Sequence, residues 1–254
     1  MKAQSTKVAK PAGRARAEKE ARPASPTATA FLARLEANAT EAERIKYVRF
    51  FPLATRREGD VFLGVRMGTV FELAKAFVAM EPREIERLME SDVHEARAGA
   101  MSVMAKQYAA KGTTPERKQA LFDLYLRRHD RIDDWDLVDL AAHQVLGAHL
   151  VDRDRAFLTQ LARSKQPFER RTAIVATFAF VRRGQLDDTF AIAALLAGDP
   201  HELVQKAVGW ALRATGGPRL DAFLDAHAVN MPRPMLRAAI EKHTPSMRAR
   251  YLAF

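Results

Sequence analysis

No cysteine occurs in the 254 residues. That excludes disulfides, thiolate nucleophiles and cysteine-ligated zinc, and agrees with a reducing compartment. No apolar run approaches the roughly 18 residues that span a bilayer, and residues 1–26 lack the apolar stretch of a secretory signal. A cytoplasmic protein without a membrane partner is therefore the expectation. A phosphate-cradling Gly-Lys-[Ser/Thr] loop, a Gly-x-Ser-x-Gly elbow and a dinucleotide fingerprint are all missing. His94-Glu95 and His201-Glu202 lack the second histidine, four residues after the first, that a zinc-protease helix needs. Their glutamates read as first-turn acids favoured by the helix dipole, and neither a metal nor a cofactor is expected. Tryptophan is scarce, with Trp135 and Trp210 alone.

What is present is positive charge and helical period. Lysine and arginine number 41 against 31 acids, a net charge of +10. Half of that excess sits in residues 1–26, where seven cations meet only Glu18 and Glu20. Rich in Ala, Pro, Ser and Lys with little to bury, this segment reads as a disordered basic tail, and such arms raise non-specific affinity for nucleic acid. Residues 27–254 read as one domain with 3.6-residue periodicity throughout, an all-α fold. Helices are expected at Thr29–Ala37, Thr40–Phe51, with a capping box from Thr40 to Glu43, and Thr69–Ala79. The Gly64-x-x-x-Gly68 pair before the last of these reads as a turn.

From Pro82 onward one unit recurs, a short helix followed by a longer one. Pro82–Glu90 precedes Val93–Ala110; Pro115–Arg128 precedes Trp135–Leu150; Asp152–Ser164 precedes Phe168–Arg183; Asp187–Ala197 precedes His201–Thr215; Pro218–His227 precedes Pro234–His243. Helix pairs at this interval predict an α-solenoid, in which stacked neighbours complete one another's core. Aligning the longer helices puts Arg97, Asp139, Arg171, Lys206 and Arg237 in one slot, at separations of 42, 32, 35 and 31 residues. The slot predicts a basic concave groove containing one acid.

That acid lies in the most informative stretch, Arg131 to Leu150. Trp135 and Asp139 stand one helical turn apart. A carboxylate beside an aromatic wall suits a substrate that is cationic or becomes so in its transition state, through fixed negative charge and a cation–π attraction.

Four segments, Trp-Asp-Leu-Val-Asp (135–139), Glu-Arg-Arg-Thr-Ala-Ile-Val (169–175), Leu-Val-Gln-Lys-Ala-Val-Gly-Trp-Ala-Leu-Arg (203–213) and Met-Pro-Arg-Pro-Met-Leu-Arg-Ala-Ala-Ile-Glu (231–241), resemble the HEAT-like-repeat DNA alkylation repair family, the AlkD-type alkylpurine DNA glycosylases. The resemblance extends over about Glu41 to Phe254. Before Val93, the Arg-Phe-Phe at 49–51 and the run Gly-Asp-Val-Phe-Leu-Gly-Val-Arg resemble a shorter, DNA-binding branch. The resemblance implies a C-shaped superhelix of helix pairs holding duplex DNA in its basic cleft. It implies catalytic roles for Trp135, Asp139, Arg171 and Trp210, and DNA contacts from Lys206, Arg213, Arg97, Arg237 and Arg170. Tyr47 would stand where active members carry an N-terminal tyrosine. Asp139 would stabilise the oxocarbenium-like sugar and orient water, the tryptophans would cradle the deoxyribose, and Arg171 would hold a phosphate or fix Asp139. The base need not be extruded, unlike in most enzymes that act on bases. Phe178 and Phe180, on the Arg171 helix, are expected in the core, the alternative being that one of them fills the space a lesion needs.

The function expected is thus a monomeric DNA repair protein and monofunctional N-glycosylase, a hydrolase for cationic N3- or N7-alkylpurines in duplex DNA. A non-catalytic member recognising branched or distorted DNA is the first alternative. A protein-binding solenoid scaffold is the second, and it predicts an apolar concave face.

Overall fold

The computed structural model describes residues 22–51 and 56–253. The expected basic tail therefore lies outside the described residues as far as residue 21. Threonine and proline punctuate the chain. Thr27, Thr40, Thr114 and Thr244 accept hydrogen bonds from backbone N–H groups in the first turns of their helices, and Pro82, Pro115, Pro167 and Pro245 each open one. A threonine hydroxyl satisfies an orphan donor, and proline has no N–H to leave unpaired.

In chain order the helices are α1 (Ala28–Ala37), α2 (Glu41–Val48), α3 (Met67–Ala76), α4 (Pro82–Met89), α5 (His94–Ala109), α6 (Pro115–Arg127), α7 (Trp135–Ala141), α8 (Ala148–Leu150), α9 (Ala156–Ala162), α10 (Pro167–Ala176), α11 (Phe178–Val181), α12 (Asp187–Leu195), α13 (Glu202–Thr215), α14 (Gly217–His227), α15 (Arg233–Ala239) and α16 (Pro245–Leu252). No β-strand forms among the described residues; Val61 and Val93 make an isolated bridge. No described helix is long and apolar enough to cross a membrane.

The stacking is that of a helical-repeat solenoid. α3, α5, α7, α10, α13 and α15 each pack on the next in one layer, while α1 packs on α4, α4 on α6 and α9 on α12 in the other. A single apolar core runs between the layers from Ala28 to Tyr251. Each unit thus completes its core against its neighbours, as expected of repeats that cannot bury their apolar faces alone.

Three departures from the expected helices have local causes. Trp135–Leu150 is not one α-helix, because Ala142–Gly147 forms a wider π turn in which the Gln144 side chain donates to the Leu140 carbonyl. Phe168–Arg183 divides at Thr177, whose hydroxyl donates back to the Ile174 carbonyl at 2.7 Å, an alternative to the helical ladder that bends helices. α16 lies beyond the last expected helix, at Thr244 followed by Pro245, a helix-start signal.

Two glycines allow the layer's close approach. A Cβ at Gly147 would strike the Ala176 carbonyl of α10, and one at Gly209 would strike the Met235 carbonyl of α15. Gly209→Val should therefore lower the melting temperature by several degrees. Overpacking costs about 1–3 kcal/mol, and the obstructing atom is backbone. An unchanged thermal melt would show that α13 and α15 can separate freely.

Candidate functional site

Asp134 caps α7 by accepting the Trp135 N–H at 2.7 Å. The helix then presents Trp135, and Asp139 one turn later. From the next unit, Arg171 of α10 reaches Asp139 with a forked guanidinium: Nη2 lies 2.8 Å from Oδ2 and 2.9 Å from Oδ1, and Nε lies 3.1 Å from Oδ1. Arg171 Nη1 also donates to the Leu203 carbonyl at the start of α13. Three successive helices of one layer thereby meet at one ion pair. The Arg171 side chain is 6% exposed and that of Asp139 is 21% exposed, so the carboxylate is the member that solvent reaches. Burial pushes the Asp139 carboxyl above its ordinary pKa, against the pull of Arg171.

The tryptophans are half-buried, each leaning on an aromatic neighbour. Trp135 lies nearly parallel to Phe51, with ring centroids 5.7 Å apart, and its indole N–H points to the Phe50 carbonyl at 3.4 Å. Trp210 packs against Phe178 at 4.4 Å. It stands two turns after Leu203 on the same stripe of α13, the helix that anchors Arg171. Phe180 is in the core as expected, whereas Phe178 is only partly buried.

The aligned slot is not a row of free cations. Lys206 and Arg237 are exposed, and Lys206 pairs with Glu202 at 2.6 Å. Arg171 neutralises Asp139. Arg97 corrects the expectation outright: it is 0% exposed, bonded to Asp60 at 2.8 Å and to the Ser91 carbonyl at 3.1 Å. Such a group cannot meet a phosphate, and alignment alone could not reveal this, because its acid partner comes from a loop 37 residues away. Arg170 forks onto Asp199 and the carbonyls of Ser164 and Lys165, clamping adjacent units. Arg213 is paired with Glu241.

Tyr47 does not reach Asp139. Its hydroxyl donates to Asp136 at 3.0 Å, and Asp136 in turn holds the fully buried His94 at 2.9 Å. Asp136, with Asp60 on the other ring nitrogen, holds His94 protonated and outweighs the burial that opposes charge, raising its pKa to about 9. Burial, aided by Asp136, raises Asp134 to about 7. The adjacent Glu95 accepts from the backbone of Leu63, Gly64 and Val65, fastening that loop to the start of α5. The His94-Glu95 pair is therefore more than a helix-start acid: it fastens the loop before α3 and the Trp135 helix to α5. Its signal in the sequence is two titratable residues opening a helix whose middle, residues 98–105, is apolar but for Ser102.

Among the described residues no group of three or more His, Asp or Glu could hold a metal ion. The arrangement offers a fixed carboxylate, partly open, beside a partly open indole. A family model described as DNA alkylation repair enzyme matches residues 31–243. No curated protein gives a significant match.

Proposed function

This chain belongs to the DNA alkylation repair enzyme family, and from that premise we propose that it binds duplex DNA and hydrolyses the N-glycosidic bond of cationic N3- or N7-alkylpurines. The observation that carries the reading is the Asp139 carboxylate, gripped from behind by Arg171 and left partly open one turn from Trp135. In an alkylated purine the base already bears positive charge. The C1′–N bond breaks with its electron pair passing to the base, leaving an oxocarbenium-like sugar. Asp139 stabilises that cation and orients the water that adds to C1′, whose released proton passes to solvent, giving a free neutral base and an abasic site. Trp135 and Trp210 lie along the sugar and add cation–π attraction. Arg171 keeps the carboxylate in place, which matters because misplacement by 1 Å can cost a hundredfold in rate.

Release of 7-methylguanine or 3-methyladenine from methylated duplex DNA tests the reading. No release above the uncatalysed rate, with DNA binding intact, would leave the second reading, recognition of branched or distorted DNA without excision. The Phe178 ring against Trp210 favours that second reading, since it covers indole surface that a sugar would need.

Trp210→Ala should reduce excision roughly tenfold or more, the scale of a lost aromatic stacking contact. Because Trp210 is half-buried, its stability cost should stay below the ~3–5 kcal/mol of a core tryptophan. A collapsed melting temperature would return Trp210 to the core. Binding should weaken steeply with salt, and Lys206→Gln and Arg237→Gln should each reduce the log–log slope by about 1. Unchanged slopes would move the phosphates elsewhere.

A further inference from the structure

Beside the Asp139 site a cleft of about 770 Å³ opens between the end of α5, the start of α6, the π turn and the end of α11. None of the sequence motifs pointed to it. Lys118, Arg153, Arg182 and Arg183 line it together with His143 and Tyr108, and no Asp or Glu does so among the described residues. Among the described residues, Arg183 alone of these four cations is paired with a carboxylate, Asp152 at 3.4 Å. Lys118 rests over the Tyr108 ring at 5.5 Å, and Arg153 is turned toward the His149 carbonyl. Like charges gathered without counter-charge repel one another, and the arrangement is relieved by an anion. A bare phosphate would leave most of the space empty, whereas the volume falls in the range of small-ligand sites of about 300–1,000 Å³. His143, four residues after Asp139, lines the cleft. Burial and the nearby Arg182 hold its ring neutral, with a pKa lowered to about 4.

We propose that this cleft is a phosphate-binding subsite for one nucleotide unit, with the phosphate held by Arg153, Arg182 and Lys118 and contacted by His143. Its source is either the backbone of duplex DNA, which rests on the functional reading above, or a free nucleoside monophosphate, which does not. An anion among these groups reverses the field at His143, so the ring takes up a proton and donates a hydrogen bond to phosphate oxygen.

The test follows the His143 imidazole by nuclear magnetic resonance in the full chain, titrated alone, with deoxyadenosine 5′-monophosphate and with a short undamaged duplex. The His143 midpoint should move upward from about 4 with at least one of the two ligands. Arg182→Gln should remove that shift and weaken the same ligand roughly tenfold or more, the scale of a lost charge-assisted hydrogen bond. Movement with duplex assigns the site to the DNA backbone, and movement with the mononucleotide alone assigns it to a free nucleotide. Duplex that binds without moving His143, at an affinity equal in Arg182→Gln, together with an inert mononucleotide, overturns the subsite and leaves the DNA reading standing. A chain that binds no duplex defeats that reading instead, and the mononucleotide then decides the subsite alone.

Discussion

Asp139→Asn should lower release of 7-methylguanine from methylated duplex DNA by on the order of a hundredfold or more, the scale on which removal of one preorganised electrostatic group acts. The substitution keeps the shape of the side chain and removes its charge, so DNA affinity should hold or rise slightly. It also has a cost in stability. Arg171 would keep its full charge in a buried position with only the Leu203 carbonyl as a strong acceptor, and orphaning one member of a buried pair costs about 3–5 kcal/mol. Partial exposure of Asp139 argues for the lower end. Asp139→Asn with Arg171→Gln separates the two effects: thermal stability should return while excision stays lost. Equal release by wild type and Asp139→Asn would sink the assignment of Asp139 to the chemistry.

The second large effect concerns pH. Folding raises the pKa of His94 from 6.5 to about 9. Its imidazolium therefore stabilises the folded state fully below pH 6.5, and that stabilisation is lost as pH rises through about 9. The shift corresponds to a loss on the order of 3 kcal/mol, or a fall in melting temperature of roughly 5–10 °C for a chain of this size. Asp134, raised to about 7, acts in the same direction with its midpoint there and is complete by about pH 8, so most of the fall between pH 7 and 9 belongs to His94. Thermal melts across that window give the measure. His94→Gln should be nearly flat there from a lower starting point, because Asp136 would have lost its charged partner. A flat wild-type profile would mean that His94 is neutral in the fold.

The layers of the fold were legible because their causes are local. Pro82, Pro115 and Pro167 announce helix starts, apolar residues keep the helical period, and the spacing of the long helices fixes the repeat. Asp139 and Arg171 were legible as partners in one slot, and the structure joins them directly. What could not be read was where a charge goes when its partner is distant in sequence. Arg97 looks like a groove cation by alignment and Arg170 by resemblance, yet Asp60 holds the first in the interior and Asp199 pairs with the second. The resemblance puts Tyr47 where active members carry an N-terminal tyrosine, but its hydroxyl serves Asp136. His143 and Arg182 were unremarkable as letters; only the π turn and the break at Thr177 set them around one cleft.

The grip of Arg171 on Asp139 spans two repeats, and its third anchor, Leu203, belongs to a further one. The position of the carboxylate is therefore not fixed within one rigid element; it registers the pitch of the stack. A duplex that pries the repeats apart or draws them together would lengthen or shorten that grip before any atom of the lesion is touched. The ion pair thus ties the place of the carboxylate to the spacing of three repeats.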